Sequence, residues 1–440
     1  MADKIRVGIA GFGTVGAGVA KIIIENADAI EARAGIRLEV GRVVDLDTTT
    51  KRPVDLPDGV LSDDMDAMIN DDSIQIGVEL IGGTTYARDL QLQLLASGKD
   101  VVTANKALLA EHGNELYKAA RDNNKCIAFE ASCAGGIPIV SAIRTGLAAN
   151  NIRGIYGIVN GTCNYILTNM SANGTSFADA LKEAQEKGFA EADPTLDING
   201  GDSAHKLAIL GSLAFGSQIE LEDIYMEGIE NICLEDIKYA SEMGYVLKLL
   251  AIAEKDNDGK ISLRVHPAFL SNDNPLARVD GSFNAVSIFG DAVGHTMYYG
   301  RGAGMMPTAS AVVADIIEVA MGNSAPLFNA QTPEPRKETL ASLETIDDVV
   351  SRFYIRLSVL DAPGTFAKIG NILANEDISI SGILQHEEHK DGNTVGAIIT
   401  THTNQQRKIT SALKALAQLD VVSSEPVCIR IVDIPEDDLG

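Results

Sequence analysis

The 440-residue sequence has few basic residues for its size. Lys and Arg together number 36, against 61 Asp and Glu, so the formal net charge at pH 7 is −25. A chain this acidic repels the phosphates of nucleic acids and the headgroups of anionic membranes. We therefore expect neither nucleic acid nor a membrane as a partner.

Cysteine and histidine are also scarce. The five cysteines form no C-x-x-C pair and the seven histidines are dispersed, so a zinc site is not expected. The longest stretch without charge, 154–178, is rich in Asn, Gly, Ser and Thr and could not lie in lipid. Scattered cysteines of odd number, together with the lack of a signal-peptide pattern, predict a cytoplasmic protein with reduced thiols.

A glycine-rich turn follows the first apolar run. Residues 4–10 are typical of a buried strand, a G-x-G-x-x-G pattern spans 11–16, and a helical pattern continues to about residue 30. In this context Gly11 allows a tight turn, Gly13 lets a pyrophosphate approach the backbone, and Gly16 lets helix and strand pack closely. The pattern predicts a dinucleotide site, with a turn that binds no ligand as the alternative.

The second predicted strand, 38–44, is followed by Asp45. An acidic group there binds a ribose 2′-hydroxyl and favours NAD. Lys51 and Arg52 are close enough in sequence to bind a 2′-phosphate instead. The choice between NAD and NADP stays open on these residues.

Further strands are predicted at 77–81, 100–103 and 126–131. Lys106 then lies just beyond the carboxyl end of a parallel strand, where doubly wound sheets bind their ligands. A lysine there can reach both the nicotinamide and the substrate. An exposed lysine at a helix start is the alternative.

An acidic stretch, 188–206, leads into a helix that carries Asp202 and Lys206 four residues apart, on one helical face. Glu191 and Asp197 lie in the loop before it. Several carboxylates and one lysine suit a small zwitterion with a reactive carbonyl or alcohol. A helix start decorated with acids and one intrahelical ion pair is the alternative.

A second glycine loop, 299–304, precedes a helix to about residue 321, which predicts that the chain returns to the cofactor cleft. Residues 323–345 contain prolines and no clear period, as in a linker. Beyond them a β-α-β-β-α-β order predicts a split ferredoxin-like fold.

These motifs together resemble the homoserine dehydrogenase family, in its monofunctional form with a C-terminal ACT regulatory domain. The resemblance covers nearly the whole chain and rests on seven segments: 11–16, 78–83, 102–106, 130–138, 160–165, 188–206 and 300–304. It implies an α/β and α+β protein: a Rossmann-type domain at 1–135 to which 301–322 return, an α+β substrate-binding and dimerisation domain at 136–300, a linker at 323–349, and a ferredoxin-like ACT domain at 350–435. Because no kinase domain precedes the Rossmann unit, we expect no bifunctional kinase–dehydrogenase.

The resemblance also implies a reaction, the interconversion of L-aspartate 4-semialdehyde and L-homoserine with NAD or NADP. Lys206 would donate the proton, with Lys106 and Asp202 as the other catalytic residues. The amino-acid end of the substrate would be held by Glu191, Asp197 and Asp202. The cofactor would be bound by Gly11, Phe12, Gly13, Thr14, Val15, Gly16, Asp45, Lys106, Gly188 and Gly302.

Three further expectations come from the same resemblance. A sodium ion would be bound by Glu130 and by the backbone carbonyls of Cys133, Gly135 and Ile137. An effector, with L-threonine as the candidate, would bind near Asp361, Pro363 and Gly364, although a domain used only for assembly is the alternative. A homodimer or homotetramer is expected.

The sequence departs from the family pattern at two positions. Val44 stands where Arg is common, which weakens an assignment of NADP. Cys163 replaces a usual Thr, most simply as one small residue for another, with a redox switch as the alternative. A semialdehyde dehydrogenase would need an acylating cysteine with a catalytic histidine, and neither Cys133 nor Cys163 has one adjacent in sequence. The remaining alternatives are another reductase of small amino-acid aldehydes and a catalytically inactive amino-acid sensor with a retained cofactor fold.

Overall fold

A computed structural model describes residues 3–330, 342–390 and 394–435. Within these residues the strands are β1 (Asp3–Ala10), β2 (Ile36–Val44), β3 (Leu61–Ser62), β4 (Ile76–Glu79), β5 (Asp100–Thr103), β6 (Ile127–Ala128), β7 (Ile152–Ile158), β8 (Tyr225–Met226), β9 (Tyr245–Lys255), β10 (Ile261–Ser271), β11 (Phe283–Gly290), β12 (Gly294–Arg301), β13 (Val350–Leu360), β14 (Ile380–Lys390), β15 (Thr394–Thr401), β16 (Asn404–Gln405) and β17 (Val427–Ile431). The helices are α1 (Thr14–Glu25), α2 (Ala27–Ala34), α3 (Met65–Ile69), α4 (Thr85–Ala96), α5 (Lys106–Asp122), α6 (Ile139–Ser141), α7 (Gly161–Asn173), α8 (Phe177–Glu186), α9 (Thr195–Ile198), α10 (Gly201–Phe215), α11 (Leu234–Glu242), α12 (Met305–Ala320), α13 (Ser324–Ala330), α14 (Thr365–Asn375) and α15 (Gln406–Leu416).

The described chain forms two compact units. The first contains 3–161, 202–224 and 283–330, and the second contains 162–201, 225–282, 342–390 and 394–435. The predicted domain limits stay predictions. Of the predicted linker at 323–349, residues 331–341 lie outside the described residues, and α13 occupies 324–330.

A parallel sheet in the first unit has the strand order β3-β2-β1-β4-β5-β6. This is the order of a Rossmann sheet, in which the carboxyl ends of β1 and β4 meet at the ligand-binding edge. Val7, Ile9 and Val78 are completely buried, as expected for central strands covered on both faces. The predicted α/β fold of this region is confirmed.

Two elements differ from the sequence prediction. The helix expected over 14–30 is two helices, because the backbone leaves helical geometry at Asn26, which has φ −103° and ψ 12° and lies between α1 and α2. The strand expected over 126–131 is only two residues long. From Glu130 the chain forms a 3-10 turn, and the Glu130 N–H donates to an Asp315 carboxylate oxygen at 2.7 Å instead of to a neighbouring strand.

Helix α12 packs directly on α1 in the first unit. The two helices approach so closely that a Cβ on Gly18 would lie 2.9 Å from the Cβ of Ala309. The same unit contains the antiparallel strands β7, β11 and β12, in the order β12-β11-β7.

The second unit ends in a β-α-β-β-α-β arrangement made by β13, α14, β14, β15, α15 and β17. Its strands run β17-β13-β15-β14, all pairs antiparallel, and its core includes Ile355, Ile369 and Leu416. The predicted ferredoxin-like fold is confirmed. Strand β17 also pairs in parallel with β10, which pairs in turn with β9.

None of the helices in the described residues is both long enough and apolar enough to cross a membrane.

Candidate functional site

The glycine turn between β1 and α1 is shaped for close contact. Gly11 has a φ of +95°, and a Cβ there would lie 2.6 Å from the Leu80 carbonyl oxygen. A Cβ on Gly16 would lie 1.9 Å from the Gly11 oxygen, whereas one on Gly13 would meet nothing within 4 Å. Among the described residues no side chain caps the first turn of α1, where Thr14 and Val15 lie. The turn therefore offers space and helix N–H groups to a diphosphate.

The residues that decide between NAD and NADP lie at the same turn. One Asp45 carboxylate oxygen accepts from the Phe12 N–H at 2.5 Å, and the other accepts from the Asp47 N–H at 2.8 Å. The Arg52 guanidinium donates from Nε to the Phe12 carbonyl at 2.7 Å and lies 6.0 Å from the centre of the Phe12 ring. Both oxygens of the Asp45 carboxylate thus accept hydrogen bonds from backbone N–H groups, and the Arg52 side chain contacts the glycine turn.

Lys106 is the first residue of α5, immediately after β5. The Asn105 side chain caps this helix by accepting from the Leu108 N–H at 3.2 Å, and the Asn105 N–H donates to the Thr103 hydroxyl at 3.0 Å. The Thr103 hydroxyl donates at 2.8 Å to Glu79, a carboxylate buried at the end of β4. These bonds fix the position of Lys106 at the carboxyl edge of the parallel sheet.

One carboxylate joins two lysines. Asp202 and Lys206 lie in the first two turns of α10, and Lys206 Nζ donates to Asp202 Oδ2 at 2.7 Å. Lys106 Nζ lies 3.2 Å from Asp202 Oδ1. Asn160 donates its side-chain N–H to Asp202 Oδ2 at 2.8 Å, and Lys206 donates a second bond to the Val159 carbonyl at 2.6 Å. The structure brings all three predicted catalytic side chains together.

Charge and burial act against each other at Asp202. Burial alone raises the pKa of this carboxyl, but the positive charges of Lys206 and Lys106 outweigh burial and hold the pKa below its usual range. Asp202 is therefore ionised at neutral pH. Lys106 and Lys206 contact different oxygens of the Asp202 carboxylate, so a single negative charge is paired with two positive charges.

The Val159 carbonyl has a second partner, Asn284, whose side-chain N–H donates to it at 3.0 Å. Gly302 lies against Asn284, since a Cβ on Gly302 would be 2.1 Å from the Asn284 side-chain nitrogen. Gly302 also lies against Gly135, where a Cβ would be 2.4 Å from the Gly302 carbonyl oxygen. The predicted cofactor glycine and one predicted sodium ligand are thus neighbours.

Glu130, the predicted sodium ligand with a charge, is buried. Its carboxylate accepts from the Val140 N–H at 2.9 Å, from the Ser141 N–H at 2.8 Å and from the Ser141 hydroxyl. Burial raises the pKa of Glu130. Burial, and then the charge of Glu130, raises the pKa of the neighbouring Asp315 well above its ordinary value. Two buried carboxyl groups that repel each other favour a nearby cation.

The other predicted sodium ligands follow Glu130 in sequence. The Ile137 carbonyl already accepts from the Ile139 N–H at 2.8 Å, and Gly135 has a φ of +41°. Cys133 is completely buried, and burial raises the pKa of its thiol to about 12. Among the described residues no group of three or more His, Cys, Asp and Glu could hold a metal ion, so carbonyl oxygens would have to supply most ligands.

Gly188, Glu191 and Asp197 belong to the second unit, and their predicted roles stay predictions. Glu191 is exposed and precedes α9, which contains Asp197. Gly188 ends the turn after α8 with a φ of +73°. The Cys163 thiol donates to the Asp197 carbonyl at 3.2 Å, a bond that a threonine hydroxyl could also make.

The predicted effector residues form the exposed turn between β13 and α14. Asp361 and Pro363 follow the end of β13, and Gly364 is the N-cap of α14 with a φ of +90°. The Thr365 hydroxyl donates to the Leu360 carbonyl at 2.9 Å and closes the turn.

Five contributors to the first unit's site are not predicted from the sequence: Glu79, Val159, Asn160, Asn284 and Asp315. Glu79 and Asn160 lie inside segments already singled out, so their position beside predicted ligands was a usable signal. The other three have no local signal.

Family models match most of this chain. The model described as homoserine dehydrogenase matches 138–317, the model described as homoserine dehydrogenase, NAD binding domain, matches 11–130, and the ACT domain model matches 353–421.

Whole proteins match over nearly their full length. The homoserine dehydrogenase of Neisseria gonorrhoeae is 42% identical over 435 residues, covering 97% of this chain and 98% of the relative. A solved homoserine dehydrogenase from Thiobacillus denitrificans has a TM-score of 0.90 at 42% identity, covering 98% of this chain and 99% of the other. A hyperthermophilic archaeal homoserine dehydrogenase in complex with NADPH has a TM-score of 0.61 at 31% identity, covering 72% of this chain and 98% of the other.

Proposed function

The chain belongs to the homoserine dehydrogenase family of NAD(P)-dependent oxidoreductases, and on that premise we propose that Lys206, Lys106 and Asp202 interconvert L-aspartate 4-semialdehyde and L-homoserine. The observation that carries this assignment is the single buried carboxylate of Asp202 between two lysines, at 2.7 and 3.2 Å. With this family the alternative of an inactive sensor is set aside.

Lys206 is proposed as the proton donor. Its two described partners, Asp202 and the Val159 carbonyl, are both acceptors, and each accepts one N–H of the side chain. An ammonium has three N–H groups, so one remains for the aldehyde oxygen of the substrate. When bound, the nicotinamide supplies a hydride to the aldehyde carbon, and Lys206 protonates the oxygen that becomes the hydroxyl. In the reverse direction neutral Lys206 takes that proton back.

Lys106 is proposed to orient the reacting end of the substrate and the nicotinamide. Its side chain is 31% exposed, against 11% for Lys206, so it has more freedom to follow a ligand. Glu191 and Asp197, together with Asp202, are proposed to bind the amino-acid end, because carboxylates attract the substrate ammonium.

The test is oxidation of NADPH or NADH followed at 340 nm with aspartate 4-semialdehyde. We expect turnover by the wild type and a loss of about 10²–10⁴-fold in Lys206→Met, which is the contribution of a positioned proton donor. Cofactor affinity should be retained in the variant. Near wild-type turnover by Lys206→Met would contradict the assigned role.

We propose that NADP is accepted and that Arg52 binds its 2′-phosphate. Arg52 lies on the glycine turn at Phe12, and its charge there is countered by Asp47 at 3.3 Å. Asp45 keeps its carboxylate on the backbone of Phe12 and Asp47, which leaves it less able to orient toward a free 2′-hydroxyl. Gly188 and Gly302 are proposed to line the same cofactor cleft.

We also propose a structural sodium ion at Glu130, completed by carbonyl oxygens of Cys133, Gly135 and Ile137. The support is the pair of buried carboxyl groups, Glu130 and Asp315, which a cation would stabilise in their charged forms. Sodium suits a donor set made mostly of neutral carbonyl oxygens. It would take no part in the chemical step.

The ACT domain is proposed to bind L-threonine at Asp361, Pro363 and Gly364 and to inhibit turnover. The turn is exposed and presents the N-terminus of α14, which can bind a carboxylate. Inhibition titrated with threonine, with isoleucine and methionine as controls, tests the ligand. A homodimer or homotetramer is proposed as well, and light scattering during size-exclusion chromatography measures it.

A further inference from the structure

The acidic loop that carries Glu191 and Asp197 is bonded at its end to a short segment, residues 227–229. The Ile229 N–H donates to the Ile198 carbonyl at 2.8 Å. Gly228 lies so close that a Cβ there would be 2.2 Å from the same carbonyl oxygen. A shift of residues 227–229 toward Ile198 therefore has to move the end of the loop, because there is no space between them, and a shift away breaks the Ile229 hydrogen bond.

The same segment is bonded to the C-terminal domain. Arg430 on β17 donates from Nη1 to Glu227 Oε2 at 2.9 Å, and its Nε donates to Gln406 at 2.9 Å. The Arg430 guanidinium also lies 5.0 Å from the centre of the Tyr225 ring, and the Tyr225 hydroxyl donates to Glu227 at 3.1 Å. The Arg430 side chain is only 8% exposed, so its position is fixed by these partners.

We propose that Arg430 and Glu227 are positioning residues through which the C-terminal domain holds the substrate loop 188–201 in place. The proposal rests on the proposed function, because it assumes that this loop binds the amino-acid substrate. Strand β17 carries Arg430, Arg430 fixes Glu227, and residues 227–229 fix Ile198. Gly201, the last residue of that loop, is also the first residue of α10, which carries Asp202 and Lys206.

A second observation limits how β17 can move. Arg430 is in register with Ala268 of β10 on one side and with Phe353 of β13 on the other. A change in β13, the strand that ends at the proposed effector turn, is therefore passed to the backbone that carries Arg430. Packed elements of this kind shift between discrete arrangements and do not deform smoothly.

Steady-state kinetics with each substrate varied separately test the proposal. In Arg430→Met and in Glu227→Gln we expect the KM for aspartate 4-semialdehyde to rise about ten-fold, the value of one lost charge-assisted hydrogen bond. The KM for the nicotinamide and kcat should change by less than about two-fold. Arg430→Lys, which keeps the charge, should recover part of the affinity.

Arg352→Met is the matched control. Arg352 also lies in the C-terminal domain, and it pairs with an acid of the same domain, Asp433 at 3.5 Å. Its KM values should equal those of the wild type. If Arg430→Met does not fold, Glu227→Gln decides, since Glu227 is 38% exposed and its amide keeps the shape.

The possible outcomes distinguish a failure of the proposed positioning role from a failure of the proposed enzyme function. Turnover by the wild type with an unchanged semialdehyde KM in both variants overturns the positioning role and leaves the enzyme assignment intact. A loss of kcat together with a loss of affinity for both substrates also overturns the positioning role, because such a loss indicates general damage to the folded protein. No turnover by the wild type removes the proposed function, and the inference with it.

Discussion

Replacing Asp202 with asparagine tests the electrostatic account of the site directly. Asp202→Asn keeps the shape of the side chain but leaves two lysines beside one neutral amide. The Asp202 and Lys206 side chains are 9% and 11% exposed, so the pair is screened little by solvent. Removing one partner of a buried ion pair costs about 3–5 kcal/mol, and we expect the free energy of unfolding to fall by about 3 kcal/mol.

The loss of unfolding free energy on replacing each of the three charged residues should increase with the burial of its side chain. Lys106→Met removes the 3.2 Å contact with Asp202. Because the Lys106 side chain is 31% exposed, the free energy of unfolding should fall by about 1 kcal/mol or less. Lys206→Met should cost about 2 kcal/mol, because Asp202 keeps Lys106 and Asn160 as partners. The double variant Asp202→Asn, Lys206→Met should be more stable than the sum of its single variants predicts, by about 1 kcal/mol or more.

Urea unfolding followed by circular dichroism measures these differences. A urea midpoint of Asp202→Asn equal to that of the wild type would refute the electrostatic explanation. So would a larger loss of unfolding free energy in Lys106→Met than in Lys206→Met.

The pH dependence of stability gives an internal check. Because the pKa of Asp202 is lowered in the folded state, its contribution is complete above the unfolded pKa of about 3.9 and is lost as the pH falls through the folded value. The difference between wild type and Asp202→Asn should therefore be constant from about pH 5 to 8 and shrink below about pH 4.

Three more variants or conditions test other parts of the site. Arg52→Met should raise the KM for NADPH about ten-fold and leave the KM for NADH unchanged, and equal effects on both cofactors would argue against a 2′-phosphate contact. Replacing sodium with choline at constant ionic strength should lower the melting temperature of the wild type but not of Glu130→Gln; identical responses would remove the sodium site. Gly302→Ala should fail to bind cofactor or to fold, since the new Cβ would lie 2.1 Å from Asn284, whereas Gly13→Ala meets nothing within 4 Å and should fold normally.

The sequence predicted contacts whose partners are close in the chain. Asp202 and Lys206 lie one helical turn apart, and the glycine turn spans six residues, so local periodicity was enough to find them. Lys106 was found because parallel strands end at a common edge.

The missed contacts join residues far apart. Asn160 and Asp202 are 42 positions apart, Asn284 and Val159 are 125 apart, and Glu130 and Asp315 are 185 apart. No window of sequence contains both partners, and a carbonyl such as that of Val159 has no side-chain signature. The break at Asn26 was missed for a different reason: the apolar pattern continues through it, and only the backbone angles end the helix.

The placement of β17 has a consequence for how the chain folds during synthesis. Residues 427–431, which form β17, pair with two strands that are far apart in sequence, β10 and β13. While the ribosome is still adding these residues, β8 already pairs with β10 at Arg264 and Val265, but the edge of β10 at Ala268 and Phe269 stays unpaired and could pair with another nascent chain. A stop codon placed before β17 should therefore yield a chain that aggregates through β10, even though every residue of the first unit has already been made.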